Sequence, residues 1–530
     1  MTGIESACNF TTISQIVGYW AAQAPDRVAL VEGVRTFTYG ELYKSIGTTA
    51  GMLQRAGVRP GDRVMIVCEN CRETVVIFFA IACIDAWPVI VNARLSDREI
   101  DDIRDHSDAR LAVYTIGASR HARAHGDRHG AVGSDLSALG QIAIGPLNKT
   151  SMTEAIDIEA PQRVAALIYT TGTTGRPKGV MLTHGNLLFV AGVSSAIRKL
   201  NPDDRVYAVL PMSHILGLTG VLVSTLLCGA QVHLVARFDP AVALAAFRRE
   251  GITIVIGTPA MYSMLVEYAV RKKIAPIASP SLRLISSAGA PLDTATKAVT
   301  ENTFHLTLHN GYGITETSPT LTLTRLETPR ADCSVGRMVP GVAAKLVGSN
   351  GLPVAPGETG ELFVRGPGVM KGYYKALAET EYAIDREGWF RTGDLARIED
   401  DHFFIVGRNK EMIIRFGFNV YPAEIESVLN AHPDVICSAV LGRKAEGGEE
   451  ILAFVELKGH SSATSDDLAK HAARQLAAYK RPSKYFVVAA LPLSPAGKII
   501  KSALPALAET LAGVSVSGRS GSFGLESGTV

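Results

Sequence analysis

Tyr169-Thr-Thr-Gly-Thr-Thr-Gly-Arg-Pro-Lys-Gly179 follows an apolar run at 164–168, and a turn and a helix starting at His184 are expected after it. Gly172, Gly175 and Gly179 let a backbone approach a ligand closely. The hydroxyls of Thr170, Thr171, Thr173 and Thr174 and the ammonium of Lys178 supply donors for phosphate oxygens. The stretch therefore reads as a phosphate-gripping loop after a strand. It is not a Walker A loop, because Gly179 stands where that motif needs a magnesium-binding Ser or Thr.

On the N-terminal side, residues 10–115 alternate extended and helical signals. Residues 63–67 read as a strand, 71–86 as a helix, 88–91 as extended chain and 110–115 as a further strand. Ser96 and Glu99 form a capping box ahead of Ile100 and Ile103. This is α/β grammar, and it continues to about residue 345. A β-rich stretch follows, and after a hinge expected near residues 407–410 comes a smaller α+β unit. In that unit 422–430 and 465–478 read as helices, and 438–441 and 452–457 as strands. The expected division is a large domain at 1–406, a small domain at 407–512 and a tail at 513–530. Residues 117–150, rich in Gly, Ala, Ser and His, read as a surface excursion.

The charge balance is +2 over 530 residues, which gives no electrostatic argument for nucleic acid or an anionic membrane. Seven cysteines in a chain this long fit a reducing compartment better than a disulfide framework. Residues 1–19 lack a basic region ahead of an apolar one, so no secretory signal is expected and the cytoplasm is the expected location. Residues 206–236 carry no Asp, Glu, Lys or Arg, but Pro211, His214 and several glycines interrupt them. They read as buried strand, loop and core helix rather than a membrane span. His121, His125 and His129 have the spacing of a helical metal face, yet Gly126 and Gly130 weaken such a helix and solvated loop histidines are expected. Cys68 and Cys71, a lone C-x-x-C, read as core packing.

Seven further motifs follow the loop in order. They are Pro211-Met-Ser-His-Ile-Leu-Gly217, Ser287-Ala-Gly-Ala-Pro291, Asn310-Gly-Tyr-Gly-Ile-Thr-Glu316, Gly388-Trp-Phe-Arg-Thr-Gly-Asp394, Gly407-Arg-Asn-Lys410, Gly417-Phe-Asn-Val-Tyr-Pro422 and Ser494-Pro-Ala-Gly-Lys498. With them the chain, from about residue 10 to 505, closely resembles the class I adenylate-forming superfamily, and within it the acyl-CoA synthetases.

The resemblance implies a large multi-subdomain adenylate-forming domain and a small mobile α+β domain. It implies ATP, Mg²⁺ and coenzyme A as cofactors and a small carboxylic acid as substrate, joined through an acyl-adenylate with release of AMP and pyrophosphate. Tyr312 would stack on adenine, with Asn310 and Gly311 at its edge and Gly289, Ala290 and Pro291 on its other face. Thr315 would meet the α-phosphate, Glu316 the Mg²⁺, and Asp394 the ribose hydroxyls. Arg408 would contact the nucleotide, His214 would stand at the mouth of the acyl pocket, Lys410 at the hinge and Gly417 along the pantetheine path. Lys498, not Lys501, would bridge carboxylate and α-phosphate during adenylation.

Thr171 replaces the family's usual Ser, and residues 443–449 lack a frequent Pro-Asp pair. Neither departure touches this chemistry. Pocket candidates are His214 and residues 258–262, 286–289 and 310–313, with no Arg or Lys expected to hold a second carboxylate. That favours a fatty or aromatic monoacid. An acyl-adenylate ligase loading a carrier protein and a non-catalytic acyl- or nucleotide-binding homologue are the alternatives. Oligomeric state is not legible in the sequence.

Overall fold

The run Val64, Met65, Ile66, Val67 is buried on both faces, the signature of a central strand in a sheet covered by helices. In the computed structural model it lies in the strand Arg63–Cys68, paired in parallel with Trp87–Asn92 and Leu111–Tyr114. The structure describes residues 10–136, 140–171, 177–277, 279–415, 418–445, 448–459, 461–494 and 499–517. The chain divides into two compact units, residues 1–405 and 406–530.

Among the described residues the first unit is built on three sheets. One contains the Arg63–Cys68 strand and, toward one edge, the antiparallel hairpin of Val164–Thr171 with Pro177–Thr183. A second carries the parallel series Leu308–Gly313, Leu284–Ser287, Ile254–Gly257, Arg205–Ala208, Gln231–Leu234 and Val28–Glu32. A third, antiparallel, includes Gly360–Arg365 and Phe390–Glu399. Side chains at their N-termini start the helices, and the cap read from the sequence at Ser96 is one of them. Ser96 Oγ accepts Glu99 N–H, while Ser96 N–H donates to the Glu99 carboxylate at 2.8 Å. Thr183 and Asn186 cap His184–Arg198 in the same reciprocal way.

The structure differs from the sequence expectation in four places. Residues 117–150 hold a helix, Arg120–Arg128, and a hairpin of Val132–Leu136 with Gly140–Ile144. Gly126 lies so close to the Tyr114 ring that a Cβ would stand 3.3 Å from it, and Gly130, at φ +66°, follows the helix. The glycines that read as loop composition are a packing site and a stop. His125 is buried with Nε2 3.1 Å from Ala93 O, and His129 Nε2 lies 2.7 Å from Asp101. Among the described residues no group of three or more His, Cys, Asp or Glu could hold a metal ion.

The tail differs too, because the last described helix runs Leu504–Ser517, past the expected boundary at 513. The turn expected after the phosphate loop is instead the strand Pro177–Thr183, which passes directly into the helix at His184. Finally, the core helix within residues 206–236 is wound as a π-helix over Leu216–Val223. No described helix is long and apolar enough to cross a membrane.

The second unit has its own sheet: Phe418–Val420, Ile413–Arg415, Gly448–Leu457 and Val435–Ala445, with Lys484–Val488 parallel to Gly448–Leu457. Ile413, Ile425, Leu429, Val440, Ile451 and Leu468 form a separate core under the helices Pro422–Asn430 and Ser465–Gln475.

Candidate active site

The loop hairpin pairs Thr171 with Pro177, Thr170 with Lys178 and Tyr169 with Gly179. The two ends of the phosphate loop are thus held by sheet hydrogen bonding; Gly172, Thr173, Thr174 and Gly175 lie outside the described residues. A two-residue strand, Gly372–Tyr373, adds to the hairpin's outer edge opposite Met181 and Val180, and Tyr374 N–H donates to Gly179 O at 2.7 Å. This pairing brings together three side chains far apart in sequence. Lys178 Nζ stands 5.0 Å from the centre of the Tyr373 ring, within cation–π range. The Tyr373 hydroxyl donates to Glu316 Oε1 at 2.9 Å, and Met370 N–H donates to Glu316 O at 2.8 Å. Burial, reinforced by the Glu316 carboxylate, pushes the Tyr373 phenol far above its usual range and keeps it a donor. Tyr373 was not singled out from the sequence. Its only signal there is its place before Tyr374 in an ordinary Gly-Tyr-Tyr stretch.

Glu316 and Thr315 are half-buried in a 3₁₀ turn, Thr315–Thr317, just beyond the strand Leu308–Gly313 that carries Asn310, Gly311 and Tyr312. The Tyr312 hydroxyl donates to Asp394 Oδ2 across 82 residues of sequence, and Asp394 is only 4% exposed. Asn310 spends its amide N–H groups on Cys333 O and Ser334 O at 3.2 and 3.3 Å, while Oδ1 accepts Gly311 N–H at 3.1 Å. The amide oxygen, with a second lone pair, is the part of Asn310 that can meet an exocyclic amine. Ser287 is in register with Asn310 on the neighbouring parallel strand, so Gly289 (φ +84°), Ala290 and Pro291 leave the sheet beside it. These groups gather at the carboxyl ends of parallel strands, where open α/β sheets bind ligands.

His214 is half-buried in the turn after Arg205–Ala208, its N–H bonded to Pro211 O at 3.0 Å, immediately ahead of the π-helix. Of the pocket candidates, Tyr262 is withdrawn by the structure. Its hydroxyl is buried and bonds Val255 O and Ser286 O, each at 3.0 Å, tying its helix to two strands.

In the second unit, Arg408 and Lys410 sit at and within the 3₁₀ turn Asn409–Glu411. Gly417 and Lys498 lie outside the described residues. Lys501 is bound by two carboxylates, Glu411 Oε2 and Glu426 Oε1, both at 2.9 Å. Burial opposes its charge, but the two carboxylates outweigh that and raise its pKa.

An α/β scaffold with a phosphate-loop hairpin and an aromatic–carboxylate pair at strand ends matches known proteins along almost its whole length. Residues 18–374 match the family model "AMP-binding enzyme" and residues 424–498 that of the AMP-binding enzyme C-terminal domain. A feruloyl-CoA synthase of an Amycolatopsis species is 34% identical over 92% of this chain and 98% of the relative. A 2-succinylbenzoate–CoA ligase of Geobacillus kaustophilus is 34% identical over 94% of this chain and 98% of the relative. Among solved structures, ATP-bound MatB from Rhodopseudomonas palustris superposes with TM-score 0.82 at 27% identity, covering 93% of this chain and 98% of that one. O-succinylbenzoate coenzyme A synthetase from Bacillus subtilis, in complex with ATP and magnesium ion, superposes with TM-score 0.78 at 28% identity, covering 92% and 99%. The chain belongs to the AMP-binding enzyme family, among its class I adenylate-forming acyl-CoA ligases.

Proposed function

We propose that this enzyme joins an aromatic carboxylic acid to coenzyme A at the expense of ATP, through an acyl-adenylate, in the cytoplasm. The observation that carries the reading is the convergence of Lys178, Tyr373 and Glu316 beside the Tyr312–Asp394 pair. It is the donor and acceptor set that a nucleoside triphosphate needs. In the first half-reaction a carboxylate oxygen bonds the α-phosphorus and the bond to pyrophosphate breaks. In the second the CoA thiolate bonds the acyl carbon and AMP leaves. Catalysis of both is mostly positioning and charge stabilisation.

Tyr312 offers adenine a face, with Asn310 Oδ1 accepting from its amino group and Gly289–Pro291 closing the other side. Asp394, which accepts the Tyr312 hydroxyl, is the carboxylate assigned to the ribose diol. Lys178 and the threonines of the loop take the phosphates, Thr315 the α-phosphate among them. Glu316, fixed through Oε1 and able to offer its second oxygen, fits Mg²⁺, which takes few protein carboxylates and completes its shell with phosphates and water. When bound, that ion would neutralise charge on the phosphates. Tyr373→Phe keeps the ring under Lys178 and removes the hydroxyl from Glu316. It should raise the Mg²⁺ concentration for half-maximal pyrophosphate exchange about tenfold, as loss of an outer-shell partner does; an unchanged Mg²⁺ requirement would separate Tyr373 from the metal site.

The acid is assigned to the aromatic branch of the sequence expectation, rather than to fatty acids, because the curated relatives above carry the names of aromatic acids. The cytoplasmic placement is supported by the six described cysteines, all unpaired. The test is ATP–pyrophosphate exchange with a panel of cinnamate, ferulate, 4-coumarate, 2-succinylbenzoate, benzoate and octanoate, followed by AMP release with and without CoA. Exchange strongest with an aryl acid and AMP release dependent on CoA are expected. Preference for octanoate would move the acid to the fatty branch, and exchange without CoA-dependent release would point to a carrier protein.

Gly417→Leu should separate the half-reactions, leaving exchange near wild type and suppressing CoA-dependent turnover, if that glycine lines the pantetheine path. Intact thioester formation would show it to be a turn residue only.

A further inference from the structure

Arg198, the last residue of the helix His184–Arg198, is 3% exposed, and among the described residues no carboxylate pairs with it. Nη1 donates to Gly220 O at 3.2 Å on the π-helix Leu216–Val223. Nε has no hydrogen-bond partner among the described residues, and neither do two buried hydroxyls near this contact in sequence. One is Ser194, a helical turn earlier on the same face; the other is Thr219, next to the Gly220 acceptor. Burial alone lowers the Arg198 pKa to about 10, so it remains a cation at neutral pH. His309, which precedes Asn310 on the Leu308–Gly313 strand, has its pKa held down by burial first, with Lys297 and Arg198 adding to the effect.

A buried guanidinium without a counter-charge, with two orphaned hydroxyls near its contact in sequence, is costly unless something fills the place. Three polar groups without partners on two neighbouring helices are candidates to meet a ligand, and the π-helix connects them to the acyl pocket. His214, assigned to the mouth of the acyl pocket, lies two residues before the start of this π-helix, and Gly220 is one turn further along it. At Gly220 a Cβ would stand 2.9 Å from Leu216 Cδ1, so glycine lets the Leu216 side chain fold over the wall. Six residues, including a π-turn of the kind frequent where helices serve a ligand, separate the mouth from the Arg198 contact, a span of about 9 Å at helical rise that an aromatic ring bearing a further carboxyl arm covers.

We propose that Arg198 is a specificity-determining residue that receives a distal anionic oxygen of the acid, a second carboxylate, with the Ser194 and Thr219 hydroxyls completing its contacts. The inference rests on the acid-activating function proposed above and narrows its substrate class to aryl acids with two acidic groups. It also reverses the sequence expectation that no basic side chain serves a second carboxylate.

The experiment compares wild type with Arg198→Met, a swap of similar length that removes the buried charge. ATP–pyrophosphate exchange is measured with 2-succinylbenzoate and with cinnamate, which has one carboxylate. The melting temperature of each protein is measured with and without 2-succinylbenzoate. Wild type should favour the diacid by at least tenfold in kcat/KM and be stabilised by it. Arg198→Met should lose that preference and the stabilisation, keep its exchange with cinnamate, and melt no lower than wild type without ligand. An equal ratio of the two acids in both proteins would overturn the proposal and leave these polar groups to structural water. No exchange with any acid in wild type would instead overturn the acid-activating reading, and this inference with it. If Arg198→Met melts early, Arg198→Gln supplies the readout: loss of the diacid preference with cinnamate exchange kept supports the proposal, and a wild-type ratio refutes it.

Discussion

Lys498→Ala is expected to slow acyl-adenylate formation by about a thousandfold, the loss typical of removing a charge that acts on the transition state. The same variant should still turn supplied acyl-adenylate and CoA into thioester. An ammonium is suited to sit between a carboxylate and the α-phosphate because its compact charge is shared by two oxygens. A lysine acting there would have finished its work once the P–O bond has formed. Exchange and thioester formation should be followed on one preparation; equal loss in both would assign Lys498 to folding or to the second half-reaction.

Gly313→Ala should abolish exchange together with the native fold of the site. A Cβ at Gly313 would overlap the Pro319 carbonyl oxygen, with Thr320 Cα 3.0 Å away. These are backbone atoms that no rotamer can move aside. The chain would have to displace the turn Thr315–Thr317, and with it Glu316, or pull apart the antiparallel pairing of Gly313 with Thr320. Overpacking typically costs about 1–3 kcal/mol, and a clash with backbone atoms lies at the upper end of that range. The melting temperature should fall and the half-maximal Mg²⁺ concentration rise beyond measurement. A variant that melts like wild type and keeps exchange would show that the turn can relax.

Local signals carried much of this architecture into the sequence. The reciprocal cap at Ser96 and Glu99 is present as read, and the helix Pro422–Asn430 begins on the proline that suits a first turn. What stayed hidden depends on tertiary contact. Gly126 weakens an isolated helix but packs against Tyr114, so composition alone turned Arg120–Arg128 into a loop. The turn expected between Gly179 and His184 is strand instead because these residues pair with the strand before the loop, and Pro177 fits the last paired position of that hairpin, where its missing N–H costs little. The Tyr312–Asp394 contact spans 82 residues, and Tyr373 reaches Glu316 only because a two-residue strand docks on the hairpin edge. Arg198 was invisible because a C-terminal helical arginine normally faces water and interacts with the helix dipole.

The pair of carboxylates around Lys501 sets that side chain's reactivity toward electrophiles. An amine held as ammonium by Glu411 and Glu426, with its pKa raised, has no lone pair to attack an activated acyl group. Acyl-adenylate is itself an acylating agent, and whatever escapes the site meets the lysines of its own enzyme first. Lys501, three residues from Lys498, is thereby protected from self-acylation at neutral pH, and mass spectrometry after turnover without CoA should find it unmodified.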